Sequence, residues 1–277
     1  MLKKNLISYI SIFLIYCAGY SQSIKSLNLG KELPADSIAF VQLKTDSLFN
    51  SRQIISLMAF HKNSSDRFRF EFGYSKSDLK PTSLFAVSRN AVAAINGGFF
   101  DRDKGGSVSY FEINDTVISK TKPPRLKWSK PRSFFNGAIV LSKHNKVSIQ
   151  KARSDHEYER SKEEAAVLLT GPLLLLNSQK IKLPATNFVK KRHPRTFFCT
   201  TNKYAVFITV DGRSKEAEGM SLIEAQEFLL NIGCVDAINL DGGGSTTMWT
   251  KDKGVVNFPS DKTGERPVSN VLFIMNK

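Results

Sequence analysis

The sequence has few of the residues that build metal centres, and it has no nucleotide-phosphate loop. Its 277 residues include four histidines, and none lies in an H-E-x-x-H motif or in another paired spacing that would indicate a zinc site. No G-x-x-x-x-G-K-S/T stretch is present, which excludes a P-loop protein. Internal repeats, low-complexity tracts and long linkers are also absent. We therefore predict one domain that works without a cofactor.

Cysteine is equally scarce, with three residues in the whole chain. Cys17 lies in an N-terminal apolar segment, and the bulky Tyr16 before it is unfavourable for lipidation. Cys199 and Cys234 remain. In an oxidising compartment they could form one disulfide, and they could equally be small buried apolar residues near strands. The sequence leaves both alternatives open.

Acidic residues are outnumbered, because 40 Lys and Arg stand against 25 Asp and Glu. The resulting net charge of +15, with an isoelectric point near 9.7, favours an anionic partner or a generally basic, solvated surface. The cluster "KKRHPR" (190–195) lacks the interleaved aromatic residues of a groove that binds single-stranded nucleic acid. We therefore expect an anionic partner other than nucleic acid.

The one long apolar run stands near the N-terminus. Lys3 and Lys4 precede "LISYISIFLIYCAG" (6–19), and polar residues follow it. This layout is typical of a secretory signal peptide and is too short for a confident membrane span. We predict a signal peptide at residues 1–22 and a single domain at 23–277. The mature protein would then be exported to the periplasm or the cell exterior, with no stable membrane span.

Strand patterns dominate the remaining chain, and helix patterns are few. Strands are predicted within residues 24–80 and at 67–72, 91–95, 134–142, 204–210, 235–240 and 268–275. In "RFRFEF" (67–72) the strict alternation places Phe68, Phe70 and Phe72 on the inner face. The pattern "SKEEAAVLL" predicts a helix over 161–169. The fold class that follows is α+β, with a mixed β-sheet core and few helices.

A second helix is predicted at 221–232 with better signals. Ser221 and Glu224 have the spacing of a capping box, and Gly233 supplies a stop. This helix lies between the strands "YAVFITV" and "VDAINL", so the order is strand, helix, strand. Such a unit usually joins two parallel strands by a right-handed crossover. We therefore predict one β-α-β crossover, and it carries the functional site.

Asp211 and Asp241 follow the two strands of this crossover, and each precedes a glycine. Parallel strands end at the same edge of a sheet, where open α/β sheets commonly bind ligands. The strands would lie about 4.8 Å apart as neighbours, or about 10 Å apart with one strand between them. Both spacings suit the paired carboxylates of glycoside hydrolases.

The stretch "DGGGSTT" (241–247) places three glycines and three hydroxyl residues directly after a strand. Left-handed angles at Gly242, Gly243 and Gly244 would turn backbone N–H groups inward to form an anion-binding nest. Ser245, Thr246 and Thr247 add hydroxyl groups, and Arg195 and Arg213 could supply forked contacts to phosphate oxygens. The alternative is a tight turn with capping hydroxyls.

A third glycine-rich turn lies in "AVAAINGGFFD" (91–101). Asn96 offers an amide that could orient a sugar, and Phe99 or Phe100 could stack against a sugar ring. A plain hairpin turn is the alternative, because Asn-Gly is a strong hairpin signal.

Several motifs occur together in one order: "INGGFFD", "GPLL", "HPRT", "VDGR", "GMSLIEAQEFL", "DAINLDGGGSTTM" and "GERPVSNVL". In this respect the chain resembles the phosphodiester glycosidase family over roughly residues 82–277. The resemblance implies hydrolysis of a sugar, of the N-acetylglucosamine type, from a glycosyl-1-phosphodiester. The family's motif positions fall on Asn96, Gly97, Asp101, Arg195, Thr196, Asp211, Gly212, Arg213, Asn239, Asp241, Gly242, Gly243, Gly244, Ser245, Thr246 and Arg266.

These observations predict catalytic roles for Asp241, Asp211 and Asn96. The predicted substrate-binding residues are Arg195, Thr196, Arg213, Gly242, Gly243, Gly244, Ser245, Thr246, Gly97, Asp101 and Arg266.

Two other functions remain open at this point. One is a metal-dependent phosphodiesterase, because Asp101, Asp103 and Glu112 fall at positions 1, 3 and 12 of a calcium-loop pattern. The other is a non-catalytic module that binds an anionic cell-surface glycopolymer.

Overall fold

Strands make up most of the computed structural model, which describes residues 37–62, 67–122 and 134–277. The predicted signal peptide, residues 1–22, lies outside the described residues. The strands are β1 (Ala39–Thr45), β2 (Gln53–His61), β3 (Phe68–Tyr74), β4 (Ala93–Asn96), β5 (Phe111–Ile113), β6 (Thr116–Ser119), β7 (Gly137–Ser142), β8 (Val147–Lys151), β9 (Glu164–Thr170), β10 (Leu173–Leu176), β11 (Gln179–Lys180), β12 (Arg195–Thr200), β13 (Tyr204–Val210), β14 (Asp236–Asn239), β15 (Met248–Thr250), β16 (Gly254–Val255) and β17 (Asn270–Asn276).

The helices are short. They are α1 (Thr82–Ser88), α2 (Asp155–Arg160), α3 (Asn187–Lys190) and α4 (Leu222–Asn231), with 3-10 turns at Leu48–Asn50 and Gly243–Ser245. In the described ranges, no helix is long and apolar enough to cross a membrane.

The described residues form three sheets. A seven-stranded sheet has the order β1-β2-β13-β12-β14-β10-β11, and the two five-stranded sheets have the orders β16-β15-β4-β17-β3 and β6-β5-β9-β7-β8. The abundance of strand and the few helices agree with the predicted α+β class. The predicted mixed sheet is wrong, because the neighbouring strands in the three described sheets pair antiparallel.

The reason for this difference is the position of β12. The hairpin β12–β13 turns tightly at residues 201–203, and β12 then pairs with β14 on its other side. Because β12 is antiparallel to both, β13 and β14 run in the same direction with β12 between them. Helix α4 connects the two.

Helix α4 has the predicted capping box. The Ser221 hydroxyl accepts from the Glu224 N–H at 3.2 Å, and the Glu224 carboxylate accepts from the Ser221 N–H at 2.9 Å. Leu222, Ala225 and Leu229 are buried on one face of the helix, against the seven-stranded sheet.

The helix predicted at 161–169 is wrong, because strand β9 occupies Glu164–Thr170. Strand β9 is central in its sheet and pairs with β5 on one side and β7 on the other. Backbone hydrogen bonds to a strand on each side, of which the β5 pairing covers residues 166–168, outweigh the helix propensity of Glu, Ala and Leu. That propensity amounts to a few tenths of a kcal/mol per residue, roughly.

The largest core cluster lies between the sheets and takes side chains from all three. Phe68, Phe70 and Phe72 point into it from β3, as the alternation predicts. Phe60 packs edge-on against Phe70 and Phe207, with ring centroids 6.2 and 5.0 Å apart. The contact between Phe60 and Phe70 joins the edge strand β3 of one sheet to the inner strand β2 of the seven-stranded sheet.

Cys199 and Cys234 form a disulfide. Their Cα atoms lie 6.0 Å apart, and the bond joins β12 to the segment between α4 and β14. The disulfide therefore holds the connection between α4 and β14 against β12.

Candidate active site

Asp211 and Asp241 lie at one edge of the seven-stranded sheet. Val210 pairs with Arg195 on one side of β12, and Asn239 pairs with Phe197 on the other. The carboxyl ends of β13 and β14 therefore flank the beginning of β12. With one strand between them, the two strand ends are separated by about 10 Å.

The glycines after the two aspartates are required by close contact with Pro194. A Cβ atom at Gly212 would lie 2.9 Å from the Pro194 nitrogen, and one at Gly242 would lie 2.7 Å from the Pro194 oxygen. The Gly243 N–H also donates to that oxygen at 2.9 Å. Both Asp-Gly turns are thus pressed against the backbone at the entry of β12.

The three consecutive glycines do not form the predicted nest. Only Gly243 of the three has a positive φ, 64°, whereas Gly242 is extended. The expectation of left-handed angles at Gly242 and Gly244 is therefore wrong. Gly242 is required by its contact with Pro194, and a Cβ at Gly244 would collide with the Arg266 guanidinium and the Asp261 carboxylate.

Two arginines cover this bare main chain. A Cβ at Gly243 would lie 3.0 Å from Nη2 of Arg213. Arg266 is held by Asp261 through two hydrogen bonds of 2.8 and 2.9 Å. Arg213 is exposed and, among the described residues, has no carboxylate partner. Arg213 therefore supplies the uncompensated cation next to the glycines.

Asp211 is buried, with 3% of the residue exposed. Its Oδ1 accepts from Nδ2 of Asn257 and from the Phe258 N–H, each at 3.1 Å. Its Oδ2 has no hydrogen-bond partner among the described residues. Burial raises the pKa of Asp211 to about 6, although the two hydrogen bonds oppose the rise. When Asp211 is protonated, Oδ2 is the oxygen that carries the proton, because Oδ1 already accepts from two donors.

Asp241 is half-buried at the same edge. Its N–H donates to the Gly97 carbonyl at 3.0 Å, and its own carbonyl accepts from Nδ2 of Asn96 at 2.7 Å. Oδ1 of Asn96 accepts from the Thr196 hydroxyl at 2.8 Å and the Thr247 N–H at 3.0 Å. The expectation that Asn96 orients a sugar is therefore wrong, because its fully buried amide is used within the protein. Asn96, Gly97 and Thr196 position the Asp241 backbone.

Unpartnered oxygen atoms are concentrated beside the two aspartates. The hydroxyls of Ser245, Thr246 and Thr247 are buried and have no hydrogen-bond partner in the described part of the chain. The same holds for Oδ1 of Asn239 and Oδ2 of Asp211. Buried polar atoms are normally paired, so these five atoms are positions at which a bound water or a polar ligand would supply the missing hydrogen bonds.

Arg195 does not face this site, and its predicted contact with phosphate is wrong. Its guanidinium donates to the carbonyls of Met220, Phe188 and Lys191 at 2.9, 2.6 and 3.0 Å. Burial, and then the charge of Arg213, lower the pKa of Arg195 to about 9. Arg195 therefore links the beginning of β12 to helix α3 and to the segment before α4.

Asp101 also has a local role. Its Oδ1 accepts from the N–H groups of Asp103 and Lys104, both at 3.0 Å, and so stabilises a turn. Glu112 accepts from the Tyr110 hydroxyl instead of facing Asp101. Within the described ranges, no group of three or more His, Cys, Asp or Glu could hold a metal ion. The proposed calcium ligands are thus not brought together.

Comparison with known proteins identifies the family of this chain. Residues 89–275 match the family model for phosphodiester glycosidase. The chain belongs to the phosphodiester glycosidase family. It is 46% identical over 56 residues to the bovine (Bos taurus) N-acetylglucosamine-1-phosphodiester alpha-N-acetylglucosaminidase, covering 20% of this chain and 10% of the relative. It is 41% identical over 69 residues to the SPbeta prophage-derived uncharacterized protein YomE of Bacillus subtilis (strain 168), covering 25% of this chain and 10% of that protein. The aligned part thus spans about a tenth of each curated relative.

A solved structure shares the fold of this chain. The catalytic domain of the zebrafish N-acetylglucosamine-1-phosphodiester alpha-N-acetylglucosaminidase superposes with a TM-score of 0.66 at 18% identity, covering 89% of this chain and 85% of that one. At this identity the likeness establishes the fold.

The structure also places two residues at the candidate site that the sequence patterns miss. Asn257 joins Asp211 to the Thr246 carbonyl through Nδ2, with both bonds at 3.1 Å. Asp261 holds Arg266. Neither residue lies in a motif with a recognisable spacing, so only their contacts identify them.

The aromatic side chain available near the site also differs from the prediction. Phe99 and Phe100 are buried, so neither is free to stack against a sugar. Phe258, whose N–H donates to Asp211, is 65% exposed.

Proposed function

We propose that this phosphodiester glycosidase hydrolyses a glycosyl-1-phosphodiester and releases a sugar of the N-acetylglucosamine type. The observation that carries the proposal is the position of Asp211 and Asp241 at one sheet edge, next to a bare main chain covered by Arg213. The activity named for the bovine relative supports the choice of sugar and bond.

The β-α-β crossover builds this site. Helix α4 carries the chain over β12, so that two strands running in the same direction each end in an Asp-Gly pair. Because both ends abut Pro194, a substrate at this edge would meet both carboxylates from one side.

The phosphate group binds next to Gly243 and Gly244. Arg213 supplies a forked donor and an uncompensated positive charge, both of which suit phosphate oxygens. The bidentate Asp261 pair fixes the Arg266 guanidinium over Gly244. The hydroxyls of Ser245 and Thr246 line the same segment and complete a polar cradle.

Asp241 acts at the anomeric carbon, as a base toward water or as a nucleophile. The bond between that carbon and the phosphate oxygen breaks, and its electron pair leaves with the oxygen. The leaving group is a phosphate monoester, whose anion is a weak base, so its departure needs little protonation and depends mainly on stabilised negative charge. Asp211, with its raised pKa, holds the proton that assists.

Export of the protein is part of the proposal. The N-terminal pattern at residues 1–22 predicts a signal peptide, and the Cys199–Cys234 disulfide suits an oxidising compartment. Fractionation of a cell that expresses the full chain, followed by mass determination, would test both the export and the processing site.

The reaction is tested by incubation with UDP-N-acetylglucosamine and simpler glycosyl-1-phosphodiesters in water enriched in oxygen-18. The proposal expects the label in the released sugar, because the C–O bond breaks. Label in the phosphate would show P–O cleavage and a phosphodiesterase. Binding without release of either product would show a non-catalytic module.

A further inference from the structure

A groove outside the candidate active site runs along strand β3. It has a volume of about 720 Å3 and lies between β3 and the sheet that contains β5, β7 and β9. Strand β3 is the last strand of its own sheet, so the groove follows an open sheet edge. We call this feature the β3 groove. Its volume falls within the range of about 300–1,000 Å3 that is usual for ligand sites.

Positive charge dominates the β3 groove. Its cationic lining residues are Arg69, Lys80, Arg89, Lys143 and Lys277. Among the described lining residues, the one acidic residue is Glu71, which accepts from Arg69 at 2.6 Å and from Arg89 at 2.8 Å. Lys143 lies 3.5 Å from Asp115 outside the lining. Even after both carboxylates are counted, the excess charge is positive.

Glu71 offsets part of the positive charge and also holds the guanidinium groups of Arg69 and Arg89 in position. Arg69 uses Nε toward Glu71 and Nη1 toward the Asn276 carbonyl, so its guanidinium is held along the strand. Arg89 uses only Nη2 toward Glu71, and its side chain is 56% exposed. The remaining N–H groups of Arg89 are directed to solvent or to a ligand.

Aromatic residues of the groove have two different positions. Phe70, Phe72 and Phe85 are buried and form its apolar floor. Tyr74 is 38% exposed and stands at the end of β3. A single exposed ring suits stacking on one sugar, whereas single-stranded nucleic acid requires a succession of rings for successive bases.

The Tyr74 end of the groove points toward the candidate active site. Tyr74 pairs with Asn270 on β17, and β17 pairs next with β4, which ends at Asn96. Two strand spacings correspond to about 10 Å. A chain molecule in the groove can therefore extend toward the edge that carries Asp241.

We propose that the β3 groove binds a glycan chain that carries several phosphate groups. The cations along β3 contact the phosphates, and Tyr74 stacks on a sugar. This binding does not depend on the cleavage chemistry proposed above, and it would persist if that reaction were absent.

The test measures binding of a fluorescent dextran bearing several phosphate groups per chain, over a range of salt concentrations. The variant Lys80→Gln/Arg89→Gln should bind about tenfold more weakly at low salt, because two phosphate contacts are lost. Each lost contact should also make the decrease of log affinity with log salt less steep. The matched control is Lys44→Gln/Lys203→Gln, which removes the same charge from exposed positions outside the groove.

A second pair of variants separates stacking from charge. Tyr74→Ala should weaken binding and leave the salt slope unchanged, and Tyr74→Phe should retain binding. Thermal unfolding of every variant, and its turnover of a small glycosyl-1-phosphodiester, verify that the fold and the active site are intact.

Three results would overturn the proposal. The control variant could lose as much affinity as the groove variant, which would indicate a generally basic surface. A single-stranded oligonucleotide could compete as well as phosphorylated dextran, which would indicate nucleic acid. Wild-type protein could fail to bind the dextran at low salt.

Discussion

Asp211→Asn tests the burial of this carboxylate directly. Burial raises the pKa of Asp211 from the ordinary value of 3.8 to about 6, against the opposing hydrogen bonds from Asn257 and Phe258. Each pKa unit corresponds to about 1.4 kcal/mol, so ionising Asp211 costs about 3 kcal/mol more in the folded protein than in the unfolded chain. An asparagine has no charge to bury and avoids this cost.

The sign of the pH dependence follows from where the proton is held. The folded protein binds the Asp211 proton more tightly than the unfolded chain does. Asp211 therefore contributes stability that is fully present below pH 3.8 and is lost as the pH rises through about 6. The free energy of unfolding of Asp211→Asn, minus that of the wild type, should therefore increase by about 3 kcal/mol as the pH rises from about 4 to about 8.

Urea denaturation at several pH values in this range measures the difference, with the disulfide kept oxidised in both proteins. Asp252→Asn, which removes a carboxylate from an exposed position, is the matched control. The reasoning is refuted if the stability difference between Asp211→Asn and the wild type is the same at both ends of the range.

Three further predictions concern the site and the disulfide. Asp241→Asn should lower kcat/KM on a glycosyl-1-phosphodiester by about 10²–10⁴-fold, and by more than Asp211→Asn does; near-native turnover would remove Asp241 from its role. Arg213→Gln should raise KM about tenfold for phosphodiester substrates and leave KM for a neutral aryl glycoside unchanged, because a charged hydrogen bond is lost; an equal rise for both would contradict phosphate binding. Replacing Cys199 and Cys234 by serine should lower the free energy of unfolding by about 4 kcal/mol, since the bond closes a loop across a sequence separation of 35 residues; unchanged stability in urea would contradict this.

Local patterns in the sequence were sufficient for several elements. Strand β13 occupies the predicted residues 204–210, and the alternation at 67–72 correctly identifies the buried phenylalanines. The capping box at Ser221 marks the beginning of α4. These three predictions are confirmed because each pattern depends on residues within a few positions of one another in the sequence. The order of the motifs also identified the family, which the match over residues 89–275 confirms.

Long-range pairing decided the rest. The Glu-Ala-Ala-Val-Leu-Leu-Thr segment at 164–170 is a strand because two partners were available to it, and nothing local records those partners. Likewise, β12 lies between β13 and β14 because it forms a hairpin with one and then pairs with the other. That placement gives the two aspartates their separation.

The sequence by itself determined the family, several of the strands, and the two Asp-Gly pairs as the candidate site. Only the tertiary structure decided which polar side chains are available to a ligand. Arg195 and Asn96 have suitable chemistry, but their hydrogen-bonding groups are used by distant carbonyls, hydroxyls and amides. Asn257 has no motif and yet contacts Asp211. The physical reason is that burial and hydrogen-bond partners are properties of the folded chain, whereas a sequence records only residue types and their spacing.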